Sequence, residues 1–176
     1  MGIEVLAIAA GVTLLIVVLG RRRLLEKRLL ENKQRLSGVR VDSLATEELD
    51  QILKNAPKLK GDGRFAYKTV GTIPCSDNFD AVRLSRRIYF VEPTEIEVLL
   101  IPEPGNLERK LAVAVTIDSK LMGYVPAKEA GEMQKYLLSN SGGVRANAKI
   151  YLGSRPDYNG LMLDLSKPLR LESRRK

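Results

Sequence analysis

The run IEVLAIAAGVTLLIVVL, residues 3–19, constrains this chain more than any other feature, because only Glu4 and Thr13 interrupt its apolar character. With Gly2 and Gly20 it approaches the ~20 residues that a helix needs to cross a bilayer. Arg21, Arg22 and Arg23 follow at once. A cleaved signal peptide carries positive charge before its apolar run, so this pattern predicts a retained transmembrane helix over residues 1–20. Lys and Arg resist translocation, which predicts a single-pass protein of the cell membrane with its N-terminus outside and its C-terminal domain cytoplasmic. The three arginines are then expected among anionic lipid headgroups.

The net charge of +8 suggests a nucleic-acid partner until it is divided along the chain. Residues 1–41 carry 8 basic and 3 acidic side chains, 42–59 carry 2 and 4, 60–166 carry 14 and 13, and 167–176 carry 5 and 1. The presumed folded body is therefore nearly neutral, and the excess lies beside the apolar run and in a basic tail over 167–176. A lone Cys75 rules out an intrachain disulfide, and the chain has no histidine. Imidazole acid–base chemistry, Ser-His or Cys-His nucleophiles and the commonest metal ligand are all excluded. The sequence thus predicts a protein that is not an enzyme, with no catalytic residue, no metal site and no cofactor.

Residues 21–59 read as a basic helical stalk and linker. LLEKRLLENKQRL, residues 24–36, is rich in strong helix formers. Leu25, Leu29 and Leu36 share a stripe that suits either a plain amphipathic stalk or a short coiled-coil seam between two copies of the chain. A second helix is expected over 42–56, ended by Pro57. The folded body is placed at 60–166, starting near Phe65. There the hydrophobic period shortens, giving candidate strands at 65–73, 88–91, 95–101, 111–117, 120–125, 144–152 and 161–165. One helix, 127–139, turns Ala130, Met133 and Leu137 inward. Asp118-Ser119 is a candidate two-residue hairpin, despite lacking the glycine that such turns favour. The expected fold class is α+β but mainly β: a small closed or partly open antiparallel barrel behind the membrane helix and stalk.

The stretch EPGNLERKLAVAVTIDSKLMGYVPAKEA, residues 103–130, resembles the centre of a HIRAN domain. That family's pattern is close to EP-x-N-P-x-D-x-N-A-I-x-V, a short hairpin, GY-x-P and a helix. Glu103, Pro104, Asn106, Ala112, Val113, Val115, Gly123, Tyr124, Pro126 and Ala130 stand at matching positions. The resemblance implies a six-stranded barrel with one or two helices over about 65–165. It also implies binding of single-stranded nucleic acid, since some such domains hold the 3′ end of single-stranded DNA. Leu107, Glu108, Arg109 and Leu111 replace the Pro, aromatic or His, Asp and Asn of the family's end-binding loop, so the scaffold is kept and the pocket changed.

Six residues carry the resulting expectation of a nucleic-acid or partner-binding surface. Phe65, Tyr67 and Tyr124 border the groove that the resemblance implies and offer aromatic faces; Arg109 and Lys110 offer phosphate contacts; Asn106 belongs to the matched loop. Each aromatic also has a bland reading as core or rim. Glu92, Glu95 and Glu97 read as an exposed strand face, and SDNFD, residues 76–80, as a solvated turn. The functional expectation is a membrane-anchored, non-catalytic module for single-stranded nucleic acid, with a cytoplasmic protein- or peptide-interaction domain as the alternative.

Overall fold

The computed structural model describes residues 20, 21, 23, 24, 26, 27, 30, 31, 41, 46–89, 92–140, 142–153, 155 and 158–173. Its elements are α1 (Thr46–Asn55), β1 (Tyr67–Lys68), α2 (Ser76–Arg86), β2 (Thr94–Glu103), β3 (Ala112–Ile117), β4 (Lys120–Tyr124), α3 (Ala127–Asn140), β5 (Val144–Tyr151) and β6 (Gly160–Asp164). The six strands form one antiparallel sheet in the order β1-β6-β5-β2-β3-β4. Its two edges meet at a single bridge, where Val70 and Tyr124 exchange backbone hydrogen bonds of 2.9 and 2.8 Å. The result is a half-barrel held at one seam.

Two corrections follow. Among the described residues no helix is long and apolar enough to cross a membrane. The helical residues described between 20 and 31 include exposed Arg21, Arg23, Glu26, Lys27 and Glu31, charges that hydrocarbon does not accept. The expected transmembrane helix, the single-pass cell-membrane location and the cytoplasmic placement that depended on it are therefore unsupported and are set aside. The apolar run 3–19 itself lies outside the described residues, as do Arg22, Leu25, Leu29 and Leu36 of the stalk and its proposed seam. The second correction concerns the helices around the body: of the closed or partly open barrel that was expected, the sheet takes the open form, a six-stranded antiparallel half-barrel, and three short helices rather than one or two pack on it, because α1 joins α2 and α3.

Each face of the sheet has its own cover. On the inner face α2 and α3 pack Phe79, Val82, Ala130, Met133 and Leu137 against Val98, Leu100, Val113, Val115, Leu161 and Leu163. On the outer face α1 lays Leu49, Ile52 and Leu53 over Leu99, Ile101 and Ala114 of β2 and β3. The helix expected in the stalk is thus part of the folded body. Pairing of Leu59 with Leu171, through Lys60 N–H to Arg170 C=O and Glu172 N–H to Lys58 C=O, ties the start of the basic tail to the same body.

The strand expectations at 95–101, 111–117, 120–125, 144–152 and 161–165 match β2 to β6 within a few residues. The segment 65–73 yields only Tyr67–Lys68 and the bridge at Val70. SDNFD is not a turn: it opens α2, where Phe79 is fully buried and the Asn78 amide donates to Leu121 C=O at 2.8 Å, covering the edge of β4. Ser, Asp and Asn favour turns locally, and only packing of Phe79 and Val82 on the sheet makes this segment helical. Arg87, at φ 54, stops the helix, and Ile88 N–H caps it by donating to Arg83 C=O. The expected strand at 88–91 is absent at Ile88 and Tyr89, where Ile88 plugs the core instead; Phe90 and Val91 lie outside the described residues.

The Asp118-Ser119 hairpin forms without glycine, both residues taking positive φ (49 and 60) as the primed turn demands. Arg86 of α2 grips Asp118 through Nε at 2.9 Å and through a second, shorter contact from Nη2. This pairing draws the Asp118 carboxyl below its ordinary range, chiefly through the hydrogen bond, and raises the guanidinium.

Candidate functional site

The loop between β2 and β3 is built around two buried polar side chains. Glu103 ends β2 with no exposed surface, and its carboxylate accepts Val41 N–H at 2.6 Å and the Asn106 side-chain amide at 2.7 Å. Asn106 Oδ1 in turn accepts the N–H groups of Glu108 at 3.1 Å and Arg109 at 3.0 Å, while its own N–H donates to Glu103 C=O. An asparagine that satisfies two downstream amides curls the backbone tightly. The residues Glu103 and Asn106, singled out by sequence, therefore shape the loop from inside. Asn106 is 4% exposed and is a support rather than a contact surface.

That curl sets Arg109 against Tyr124. The guanidinium carbon stands 4.7 Å from the centre of the tyrosine ring, a cation–π stack. Tyr124 is fixed because both its backbone groups bond to Val70 across the seam. Gly123 makes the seam possible: at φ 140 it occupies a region closed to most side chains, and a Cβ there would lie 2.8 Å from Val70 O. The Gly-Tyr corner is thus a structural closure that also presents an aromatic ring.

A groove of about 400 Å³ opens beside this stack, lined by Val70, Glu108, Arg109, Lys110, Leu111, Ala112, Tyr124, Val125, Ala127 and Ala130. Lys110 is exposed on its wall. Two of the groove's lining side chains, Val70 and Leu111, are apolar and exposed, and Leu107, in the loop that carries Arg109, is 95% exposed.

Four of the six expected residues come together here: Asn106 beneath the loop, with Arg109, Lys110 and Tyr124 at the groove. Phe65 and Tyr67 do not line it. Phe65, at φ 49, receives Lys149 Nζ 4.3 Å from its ring centre on the outer face of the sheet. Tyr67 pairs with Leu163 on β1 and is half-buried, with Lys167 Nζ 5.6 Å from its ring. Lys167 is held at 3.9 and 3.8 Å from Glu129 and Glu132 of α3.

Cys75 lies near the groove but is a poor nucleophile. Burial pushes its thiol up, against a smaller opposing pull from Arg109, and Sγ contacts Gly71 C=O at 3.5 Å. Among the described residues no cluster of acidic and cysteine side chains is arranged to hold a metal ion. SDNFD makes no such site either, since Asp80 faces Arg83 at 3.5 Å on one side of α2.

Sequence reasoning passed over Tyr151 and Tyr158, two exposed aromatics at the end of β5 and in the loop after it. Only their position on the face left uncovered by α1 marks them, and that is visible once the register of β5 on β2 is known. Compared with known proteins, this chain matches no family model, no curated protein and no solved structure.

Proposed function

We propose that the protein is a non-catalytic binding module that holds single-stranded nucleic acid in the groove beside Tyr124. The observation that carries this reading is the Arg109 guanidinium stacked on Tyr124 with Lys110 on the adjoining wall. A planar cation on an aromatic ring offers a surface on which a splayed base stacks, and two cations beside it meet backbone phosphates. The HIRAN-like motif adds support: its matched residues Glu103, Asn106 and Gly123 all work to build this loop and seam. The non-catalytic part rests on a chain without histidine and on a buried, protonated Cys75.

The test is an anisotropy titration of the full-length chain with a labelled single-stranded oligonucleotide at several salt concentrations. Arg109→Glu with Lys110→Glu abolishes binding or weakens it at least tenfold, and reduces the salt slope by about 1.4, at ~0.7 per single-strand phosphate contact. Affinity of the unaltered chain no better than millimolar at low salt refutes the proposal.

A second reading has its own observation. The exposed Val70 and Leu111 of the groove's lining, with the exposed Leu107 in the loop that carries Arg109, are unlike the surroundings of a phosphate track and suit the apolar side chains of a peptide. A crosslinked partner that survives nuclease and is lost in Leu107→Asp with Leu111→Asp favours this reading over the first.

A further inference from the structure

The groove beside Tyr124 carries both signs of charge, and they are kept apart. Glu108, Arg109 and Lys110 follow one another in the chain, and all three line it. Adjacent opposite charges attract, yet the Arg109 guanidinium lies on the Tyr124 ring instead of meeting Glu108. The exposed Glu108 side chain makes no ion pair and no hydrogen bond among the described residues.

This separation is held from below. The N–H groups of Glu108 and Arg109 both end on Asn106 Oδ1, at 3.1 and 3.0 Å, and Asn106 is itself locked to the buried Glu103. The two side chains therefore leave one fixed turn, Arg109 toward the aromatic ring and Glu108 toward no protein partner.

An unpaired carboxylate constrains what shares the groove. It accepts hydrogen bonds and donates none, and it repels phosphate. A strand bound there keeps its phosphates on the Lys110 side and turns toward Glu108 the edge of the base that rests on Arg109. The bases differ at that edge. Thymine and uracil present one ring N–H between two carbonyl oxygens, which a carboxylate repels. Cytosine and adenine present one amino group beside a ring nitrogen that only accepts. Guanine alone presents two adjacent donors, its ring N1–H and its 2-amino group, which fit the two oxygens of a carboxylate as a fork.

We propose that Glu108 is the specificity-determining residue of the groove and selects guanine over thymine or uracil in a single strand. The inference deepens the nucleic-acid reading above and rests on it. Base pairing hides the same donors, so a duplex offers Glu108 nothing to accept. An apolar peptide, the competing occupant, gives the carboxylate no partner and brings no base preference.

The experiment measures anisotropy of fluorescein-labelled oligo(dT) with the full-length chain at low salt, against the same oligomer with one central guanine or one central hypoxanthine. The guanine oligomer binds about fivefold or more tighter than oligo(dT), as a bidentate base contact provides. Hypoxanthine, which keeps N1–H and lacks the 2-amino group, falls between them. Glu108→Gln removes the guanine preference while oligo(dT) binds as well or better, since a charge that repels phosphate is gone. The side chain is exposed, and an unchanged thermal melt shows that the fold is kept. If the unaltered chain binds all three oligomers equally and Arg109→Glu with Lys110→Glu weakens each, the selection is refuted and the groove stands. A guanine preference that survives Glu108→Gln also refutes it, because the base is then read elsewhere. If the unaltered chain binds none of the oligomers, both readings fall.

Discussion

The seam at Tyr124 and the tyrosine pair Tyr151 and Tyr158 both present aromatic rings, but they are supported differently. At the seam the aromatic ring and its support also close the fold: Tyr124 bridges the sheet edges, and Asn106 beneath it accepts two amides while satisfying the buried Glu103. At the tyrosine pair the rings stand outside the core, and Gly153 and Asn159 hold only the local loop. The difference teaches that an exposed ring is coupled to stability at the seam and separable from it at the pair. A variant that breaks the Val70–Tyr124 bridge or the Asn106 loop unfolds the protein before it reports on a ligand, whereas the exposed Arg109 and Lys110 can be changed without touching the closure.

That contrast is broken or sharpened by a graded series. The largest effect belongs to Asn106→Ala, which strands a buried carboxylate oxygen and two amides; it is expected to lower stability by about 2–4 kcal/mol, read by denaturant midpoint. Gly123→Ala comes next, at about 1–3 kcal/mol, because a Cβ must displace Val70 from the bridge. Amide exchange should show the loss at Val70 and Tyr124 first. If either variant is as stable as the unaltered chain, the seam is not a closure and the comparison fails.

Smaller effects are expected away from both sites. Ser119→Gly stabilises by about 0.5–1 kcal/mol, since a residue at φ 60 gains a conformation natural to glycine. The Arg86–Asp118 pair is half in solvent, so it is worth less than about 1 kcal/mol. Asp118 has a folded pKa below its ordinary 3.8, so its contribution is complete above that value and is lost as pH falls through the lowered one. The acid limb of a stability profile flattens in Asp118→Asn. The smallest effect is Tyr158→Ala, within about 0.5 kcal/mol, as for other exposed substitutions. A loss as large as that of Gly123→Ala would show that the tyrosine pair, too, is part of the fold.

Much of the body was legible because β2 to β5 are apolar runs or alternations punctuated by Pro, Gly, Asn and Asp. Ala130, Met133 and Leu137 at helical spacing likewise announce α3. The misses have one cause. α2 contains Ser76, Asp77, Asn78 and Asp80, which locally favour turns, and is made helical by two buried side chains. α1 looked like part of a stalk because its apolar face has no partner in the nearby sequence; its partners, Leu99, Ile101 and Ala114, lie some fifty residues on. Of the candidate site, Asn106 and Tyr124 were legible from the motif and Arg109 and Lys110 from their charge in the loop where the motif departs, whereas Tyr151 and Tyr158 carry no motif.

The sequence by itself determined the strand segments β2 to β6, the hairpin at Asp118-Ser119, the absence of imidazole chemistry and the loop residues around Asn106. These depend on local propensity or on which side chains exist at all. Only the tertiary structure decided that the sheet's edges meet at Val70 and Tyr124, that α1 belongs to the body, and that Tyr151 stands opposite Gly160. Such facts follow from pairings between distant segments, and a chain's local pattern fixes which face a residue prefers without fixing what arrives to cover it.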